Sequence, residues 1–464
     1  MRYIEKINRD QQLKACRIPC IYQQDNDTSR KKTITIRVPG SKSITNRALL
    51  LATLAQGTSK LHGVLFSDDS RHFLQCVQDL GFETFVDEEL NEIHVTGEGG
   101  RVPLKEASLY VGSAGTAARF LAAYLGVSDG IYHLDASEQM RKRPMSPLLD
   151  SLADLGCEIS YGTVGEEGRP GFFPFTLRGH GFGTNKITID INKSSQFLSA
   201  LLIASCLSED DFTVQVEGKH GMSYIDMTLK MMQQFGVNVA DMQSTGNNRE
   251  KVLTYKTLKG QQYLPREYDV EPDVSAACYF YAMVPLLHIP VAVQGVHMDS
   301  MQGDIAFLRI LEQMGCTLED TKEGVLANPP AAHGFPGVTV DMSAFSDQAI
   351  TLAAIAPFAE TPTTITGIGH IRLQESDRIA AIVTELGRMG IQCEEYADSI
   401  IIHPGQPKPS EVETYDDHRM AMGFSLTGLR AEGVVIRNPD CCRKTFENFF
   451  ETLDQVIGSL VESV

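Results

Sequence analysis

The chain of 464 residues contains no apolar run long enough to span a bilayer. The longest, Phe197 to Leu207, is short and carries polar Ser199 and Ser205, which excludes a transmembrane helix. The opening stretch MRYIEKINRDQQLKAC mixes charges with apolar residues and lacks the apolar core of a secretory signal. Positive charge is scarce: 41 Lys and Arg stand against 59 Asp and Glu, a formal net charge of −18. Such a balance excludes non-specific binding to nucleic acid and adhesion to an anionic membrane. No CxxC pair occurs among the ten cysteines; Cys16 and Cys20 lie four apart, and Cys441 and Cys442 are adjacent. Reduced thiols in a cytoplasmic protein are the expectation from that spacing. The twelve histidines form no pair at ligand spacing, so no metal site is expected.

What is present suits a globular protein of two or three domains, with 42% apolar and 22% charged residues. An acidic protein that binds anions has to gather its cations locally, so clusters of Lys and Arg are the places to examine.

The chain repeats itself. A helix ending in glycine after an apolar residue, followed by a short strand, recurs at DLGFETF, DLGCEIS, QFGVNVA, QMGCTLE and RMGIQCE, with a weaker sixth at QVIGSLV. The glycines are Gly81, Gly156, Gly236, Gly315, Gly390 and Gly458, spaced by 75, 80, 79, 75 and 68 residues. Glycine is the common left-handed helix stop, but near-equal intervals imply six related units of helices and strands. The polar stretch from Ser244 to Pro265 is a candidate region for a domain crossing near mid-chain. Helices are expected from about Ser43 to Ala55, over TAARFLAAYLG to Gly126, from Ser194 onward and from Asp347 onward, with a short strand from Gly337 to Asp341.

Several motifs could hold anions. Pro39-Gly40-Ser41-Lys42-Ser43 with Asn46-Arg47 places cations and hydroxyls at the mouth of a helix, where free N–H groups already favour negative charge. It is not a Walker loop, because the glycine spacing is wrong, and a nucleotide kinase is excluded with it. Gly112-Ser113-Ala114-Gly115-Thr116 lets backbone amides approach a ligand, or makes only a tight strand-to-helix turn. Arg141-Lys142-Arg143 is three successive cations, and Ser194-Ser195-Gln196 offers two hydroxyls and an amide at a helix start. In the second half, Asp347, Gln374-Glu375-Ser376-Asp377-Arg378, Tyr415-Asp416-Asp417-His418-Arg419 and Arg443-Lys444 mix carboxylates with cations. Taken alone, they read either as structural ion pairs or as an acid/base set among anion-binding cations.

Taken in order, PGSKSITNRALLLA, GSAGTAAR, RKRP, SSQFLSALL, LQESDRI, YDDHRMAM and RKTF resemble the 5-enolpyruvylshikimate-3-phosphate synthase family from about Val38 to Phe450. The resemblance implies an α/β fold of two similar domains, each of three βαβαββ units about a pseudo-threefold axis, with the active site in the interdomain cleft. It places the crossings near Pro39 and Glu271, giving one domain from 1–39 and 272–464 and another from 40–271. It also implies transfer of the enolpyruvyl group of phosphoenolpyruvate to the 5-hydroxyl of shikimate 3-phosphate, with no cofactor, in a cytoplasmic monomer of aromatic amino-acid synthesis.

By the same resemblance, Lys42, Ser43, Arg47, Ser194, Ser195, Gln196, Asp347 and Gln374 take shikimate 3-phosphate. Lys42, Gly115, Arg143, Gln196, Arg378, Arg419 and Lys444 take phosphoenolpyruvate. Asp347 and Glu375, with Lys42, match the acid/base positions; Asp347 would receive the hydroxyl proton and Glu375 would serve the methylene carbon. Three positions depart from the family pattern: Ser113 stands for the usual Asn, Gln374 for the usual Lys and Phe120 for a frequent Pro. Gln374 keeps hydrogen-bonding capacity but brings no charge. A sister enzyme that acts on a UDP-sugar carries a reactive Cys in its own loop; none stands in or beside RKRP here. A binding paralogue without activity is disfavoured because Asp347, Glu375 and the arginines are all retained.

Overall fold

A computed structural model describes residues 1–9, 13–22, 33–163, 166–245 and 251–462. Five of the punctuating glycines share one backbone conformation, with φ of +88° at Gly81, +96° at Gly156, +95° at Gly236, +92° at Gly315 and +79° at Gly390. A side chain would be strained there, which is why glycine occupies the position. Each closes its helix in the same way. The Gly81 N–H donates to the Gln78 carbonyl (2.9 Å) and the Phe82 N–H reaches back to Val77 (3.3 Å), a pairing that recurs at Ile391 to Leu386 (2.9 Å). The strands Glu83–Asp87, Glu158–Thr163, Val239–Thr245, Thr317–Thr321 and Cys393–Glu395 follow directly.

Gly458 does not belong to this set. It lies within the helix Phe449–Val461, and no strand follows it among the described residues. The hairpin that the sixth unit needs comes from the other end of the sequence. Strands Glu5–Arg9 and Leu13–Arg17 pair antiparallel, and the second of them pairs with Val434–Arg437. The Asp454 carboxylate, on the helix that contains Gly458, accepts the N–H groups of Arg2, Tyr3 and Ile4 at 2.6, 2.8 and 2.6 Å.

Among the described residues the strands form six sheets, and four strands of each share one order, with the two-residue strand Glu166–Glu167 added at the edge of one sheet. Numbered along each repeat, the strands lie 1-2-4-3. The first pair is parallel across a helical crossover and the other two pairs are antiparallel, as the βαβαββ unit requires. Thr339–Asp341, Thr363–Thr366, Ser399–Ile402 and Cys393–Glu395 make one such sheet. Lys186–Asp190, Phe212–Glu217, Lys251–Thr257 and Val239–Thr245 make another. Two sheets are stitched from distant sequence: Ile34–Ile36 pairs with Val291–Val293, and Glu267–Asp269 pairs with Gln56–His62.

The chain divides into two compact units, Met1–Pro39 with Glu271–Val464 and Gly40–Val270, here called the split unit and the inserted unit. Each contains three of the sheets. Glu271 goes with the split unit, its carboxylate accepting from Ser300 Oγ (2.6 Å) and Gln302 Nε2 (3.1 Å). The polar stretch from Ser244 to Pro265 is not a crossing. Apart from 246–250, which fall outside the described residues, it carries the end of one strand and the whole of its hairpin partner, Lys251–Thr257. Its polarity is that of an edge hairpin with one wet face.

Between the parallel strands of each repeat runs a helix buried nearly all round. In the inserted unit these are Lys42–Leu54, Gly115–Gly126 and Gln196–Ala204, the second packing on both of the others. In the split unit they are Val274–Tyr281, Ala349–Ile355 and His418–Arg430, with the third packing on the other two. Such helices are apolar on every face because neighbours cover every face. Their N-termini carry the chemistry described next.

Candidate active site

The inserted unit presents three helix starts without a carboxylate. None of Lys42–Leu54, Gly115–Gly126 and Gln196–Ala204 has an acidic residue in its first turn. No side-chain bond caps the first two at Ser41 and Ala114, and the positive end of each helix dipole favours an anion there. The third start uses one hydroxyl of its pair: the Gln196 N–H donates to Ser194 Oγ (3.2 Å), while Ser195, at the N-cap position, makes no cap bond.

Around these starts sit the expected cations. Arg47 is buried, its Nε donating to Thr228 Oγ1 (2.8 Å) and its Nη1 to the Ser43 carbonyl (3.0 Å). The guanidinium lies over the Phe120 ring, 5.2 Å from the centroid, so the phenyl that replaces the usual proline supports a cation. Burial pulls Arg47 down to about 10. Lys42 Nζ is 3.5 Å from Asp69 Oδ2. Of the three successive cations, Arg141 pairs with Asp135 at the surface (2.7 Å) and Lys142 is exposed. Only Arg143 turns toward Gly115, its Nη1 lying 2.9 Å from where a Cβ on that glycine would stand. Ser113 Oγ bonds Ser137 Oγ (2.6 Å), which caps the short helix that precedes Arg143.

The split unit gathers three carboxylates and three cations. Asp347 lies on a turn of 3-10 helix, Ser346–Gln348, that leads into Ala349–Ile355. Its two oxygens are held by Arg378 Nη1 (3.0 Å) and Arg419 Nη2 (2.7 Å). Arg378 is fully buried and also donates from Nε and Nη2 to Asp417 (2.8 and 3.3 Å). Asp417 caps the helix His418–Arg430 through the Arg419 N–H (3.0 Å) and accepts from Ser376 Oγ (3.1 Å). Glu375 sits between Lys444 Nζ (3.1 Å) and His418 Nδ1 (2.9 Å). Gln374 is half-buried at the end of the preceding turn.

The charges balance each other: Asp347, Glu375 and Asp417 against Arg378, Arg419 and Lys444. Burial would raise the Glu375 carboxyl, but His418 and Lys444 outweigh it and hold it well below the usual carboxylate range. For Asp417 burial is likewise overcome, here by Arg378. The neighbouring Asp304, buried with a hydrogen bond from Gln348 Nε2 (2.8 Å), is pushed up to about 6 by burial and by Asp347, which outweigh the opposing pull of Arg419.

Glu375, Asp417 and His418 bring ligand atoms within 4.8 Å of one another. A divalent ion among them would sit beside Lys444 Nζ and Arg378 Nε, which already neutralise those carboxylates. The donor set is that of an ion-pair network and fits a metal poorly.

Four residues of the site were given no role in the sequence: Arg119, Asp417, His418 and Asp69. Arg119, buried under Gly115 with its Nη1 on that residue's carbonyl (3.1 Å), is held well below its ordinary value by burial and by Arg143. Asp417 and His418 were visible in YDDHRMAM, but nothing local marks which of two adjacent aspartates turns inward. Asp69 opposite Lys42 had no motif at all.

The sequence matches the family described as EPSP synthase (3-phosphoshikimate 1-carboxyvinyltransferase) over residues 27–453. A 3-phosphoshikimate 1-carboxyvinyltransferase of Nostoc punctiforme is 43% identical over 430 residues, 92% of this chain and 97% of that one. A protein of the same name from Trichormus variabilis is 42% identical, over 93% and 98%. Among solved structures, an EPSP synthase from Acinetobacter baumannii superposes with a TM-score of 0.75 at 25% identity, over 95% of this chain and 97% of that one. The enolpyruvyl transferase NikO from Streptomyces tendae shares the fold, with a TM-score of 0.66 at 17% identity and coverage of 92% and 95%. The chain belongs to the EPSP synthase family.

Proposed function

We propose that the chain transfers the enolpyruvyl group of phosphoenolpyruvate to the 5-hydroxyl of shikimate 3-phosphate and releases phosphate, in a cytoplasmic monomer. Family membership supplies the reaction. The observation that carries the assignment of roles is the Asp347 carboxylate, gripped by two arginines at 3.0 and 2.7 Å while Glu375 is gripped by Lys444 and His418.

The two substrates together bring two carboxylates and two phosphates. Lys42, Ser43, Arg47, Ser194, Ser195 and Gln196, with Gln374, serve shikimate 3-phosphate. Gly115, Arg143, Arg378, Arg419 and Lys444, with Lys42 and Gln196, serve phosphoenolpyruvate. When ligand oxygens draw the arginines from Asp347 and Lys444 from Glu375, both carboxyls lose the cations that kept them ionised, and their proton affinity rises. Asp347 then takes the proton of the 5-hydroxyl as its oxygen bonds to C2 of phosphoenolpyruvate. Glu375, assisted by Lys42, delivers a proton to the methylene carbon. The tetrahedral adduct collapses by breaking the C2–O bond to phosphate and returning the methyl proton. No electrons are transferred, so the steps call for no redox cofactor.

The test is phosphate release from purified protein given both substrates in metal-free buffer. Release that requires both and disappears in Asp347→Ala supports the reading. Tight shikimate 3-phosphate binding without release would overturn it in favour of a binding protein, with Gln374→Lys as the variant to examine next.

A further inference from the structure

We infer that Arg372 is a positioning residue that fixes the Gln374–Glu375 segment, an inference that rests on the role given to Glu375 above. Apart from the contacts of the Glu375 carboxylate with Lys444 and His418, little holds the backbone of that segment. Leu373 is 54% exposed and anchors nothing, and the Gln374 N–H makes only a long bond to the Ile371 carbonyl (3.4 Å). Arg372, one turn earlier, makes five bonds. Its Nη1 donates to both oxygens of Asp377 (3.1 Å each), its Nη2 to Glu395 Oε1 (2.7 Å) and the Tyr396 carbonyl (2.9 Å), and its Nε to the Ala397 carbonyl (3.3 Å).

These contacts clamp both ends of the segment. Asp377, just beyond it, caps the helix Arg378–Arg388 through the Ala380 N–H (3.0 Å). Glu395 ends the strand Cys393–Glu395, and Tyr396 and Ala397 lie in the turn that leads to Ser399–Ile402, so the guanidinium ties the segment to a hairpin of the neighbouring sheet. At the other end of the same turn, His370 Nε2 bonds Ser346 Oγ (2.7 Å), next to Asp347. Both carboxylates are thereby keyed to one strap, Gly369 to Asp377. Only a planar fork with five donors can engage these four acceptor groups together; a lysine ammonium at the end of a flexible stem cannot.

The expected effect of Arg372→Met is a fall in kcat of about 10- to 100-fold, the scale of an ångström-level misplacement of a reacting group. The experiment is a double-mutant cycle on phosphate release with Arg372→Met, Glu375→Gln and the double variant, alongside thermal melting of each. If Arg372 acts through Glu375, adding Arg372→Met to Glu375→Gln costs less than about 2-fold more, because the group it positions is already gone. A merely structural arginine would give losses that multiply. Full kcat in Arg372→Met together with loss in Glu375→Gln, or multiplying losses, overturns the inference. Full activity in Glu375→Gln instead overturns the role of Glu375, and the inference with it. Should Arg372→Met fail to fold, Glu395→Ala removes the shortest contact and carries the same cycle.

Discussion

Replacing Asp417 by Asn tests the network of the split unit at its most buried member. The side chain keeps its size, and one oxygen can still cap the helix through the Arg419 N–H. It loses its charge, however, and turns an NH2 group toward Arg378, which now donates to it at 2.8 and 3.3 Å. Breaking a buried pair by removing one partner costs about 3–5 kcal/mol, because the other charge stays behind. Asp347 remains bonded to Arg378, which offsets part of this, so about 3 kcal/mol is expected. The chain has no tryptophan, so indole fluorescence cannot report the change. Two units also make a single global transition unsafe to assume. Native-state hydrogen exchange of the helix His418–Arg430 is the better assay, and about 3 kcal/mol corresponds to a loss of protection on the order of 100-fold. Protection within about 2-fold of the parent protein would refute the view that Asp417 is the principal counter-ion of Arg378.

Other outcomes follow from the same coordinates. Asp454→Asn should speed exchange of the Tyr3 and Ile4 amides by about 10-fold or more, since an amide replaces a carboxylate that accepts three N–H groups. Burial works to raise the Asp454 carboxyl, yet the Ile4, Arg2 and Tyr3 N–H groups keep it below its ordinary value of 3.8. A depressed folded value means this protection is complete above the unfolded value and lost as pH falls through the folded one. Exchange corrected for intrinsic rate should therefore rise below about pH 4 in the parent protein and not in the variant. Gly115→Ala places a methyl 2.7 Å from Arg119 Nη1 and 2.9 Å from Arg143 Nη1; both are side-chain ends that can yield. The variant should fold, with a KM for phosphoenolpyruvate raised about 10-fold and a smaller change for shikimate 3-phosphate, measured by steady-state phosphate release.

Local chemistry was legible from sequence. The glycine stops at Gly81 through Gly390 could be read because a left-handed cap is decided by one residue. The helix starts near Lys42, Gly115 and Gln196 could be read because hydroxyls, small residues and apolar runs are local signals. Gly458 misled for the same reason: the pattern matched, but the hairpin that should follow is supplied by residues before Arg17, and pairing across that separation leaves no local trace. The Ser244 to Pro265 stretch looked like a linker because an edge hairpin and a linker are both polar. In the site, Glu375 and Arg419 stood in quoted motifs, and Asp347 was marked as the start of an expected helix. That Arg378 joins Asp347 to Asp417 depends on how the helices before and after it pack, which no spacing encodes.

Splitting one repeat between the two ends of the sequence has a consequence for the order of synthesis. Residues 40–270 leave the ribosome as one uninterrupted stretch and close all three of their sheets without waiting for anything later. The residues ahead of Gly40 cannot do so. Strand Ile34–Ile36 waits for Val291–Val293, and the hairpin Glu5–Arg17 waits for Val434–Arg437 and then for Asp454. Throughout elongation the nascent chain therefore trails an open strand edge, the kind of surface that templates wrong pairings. A product truncated just short of Val434 keeps the whole inserted unit yet never fastens its own beginning.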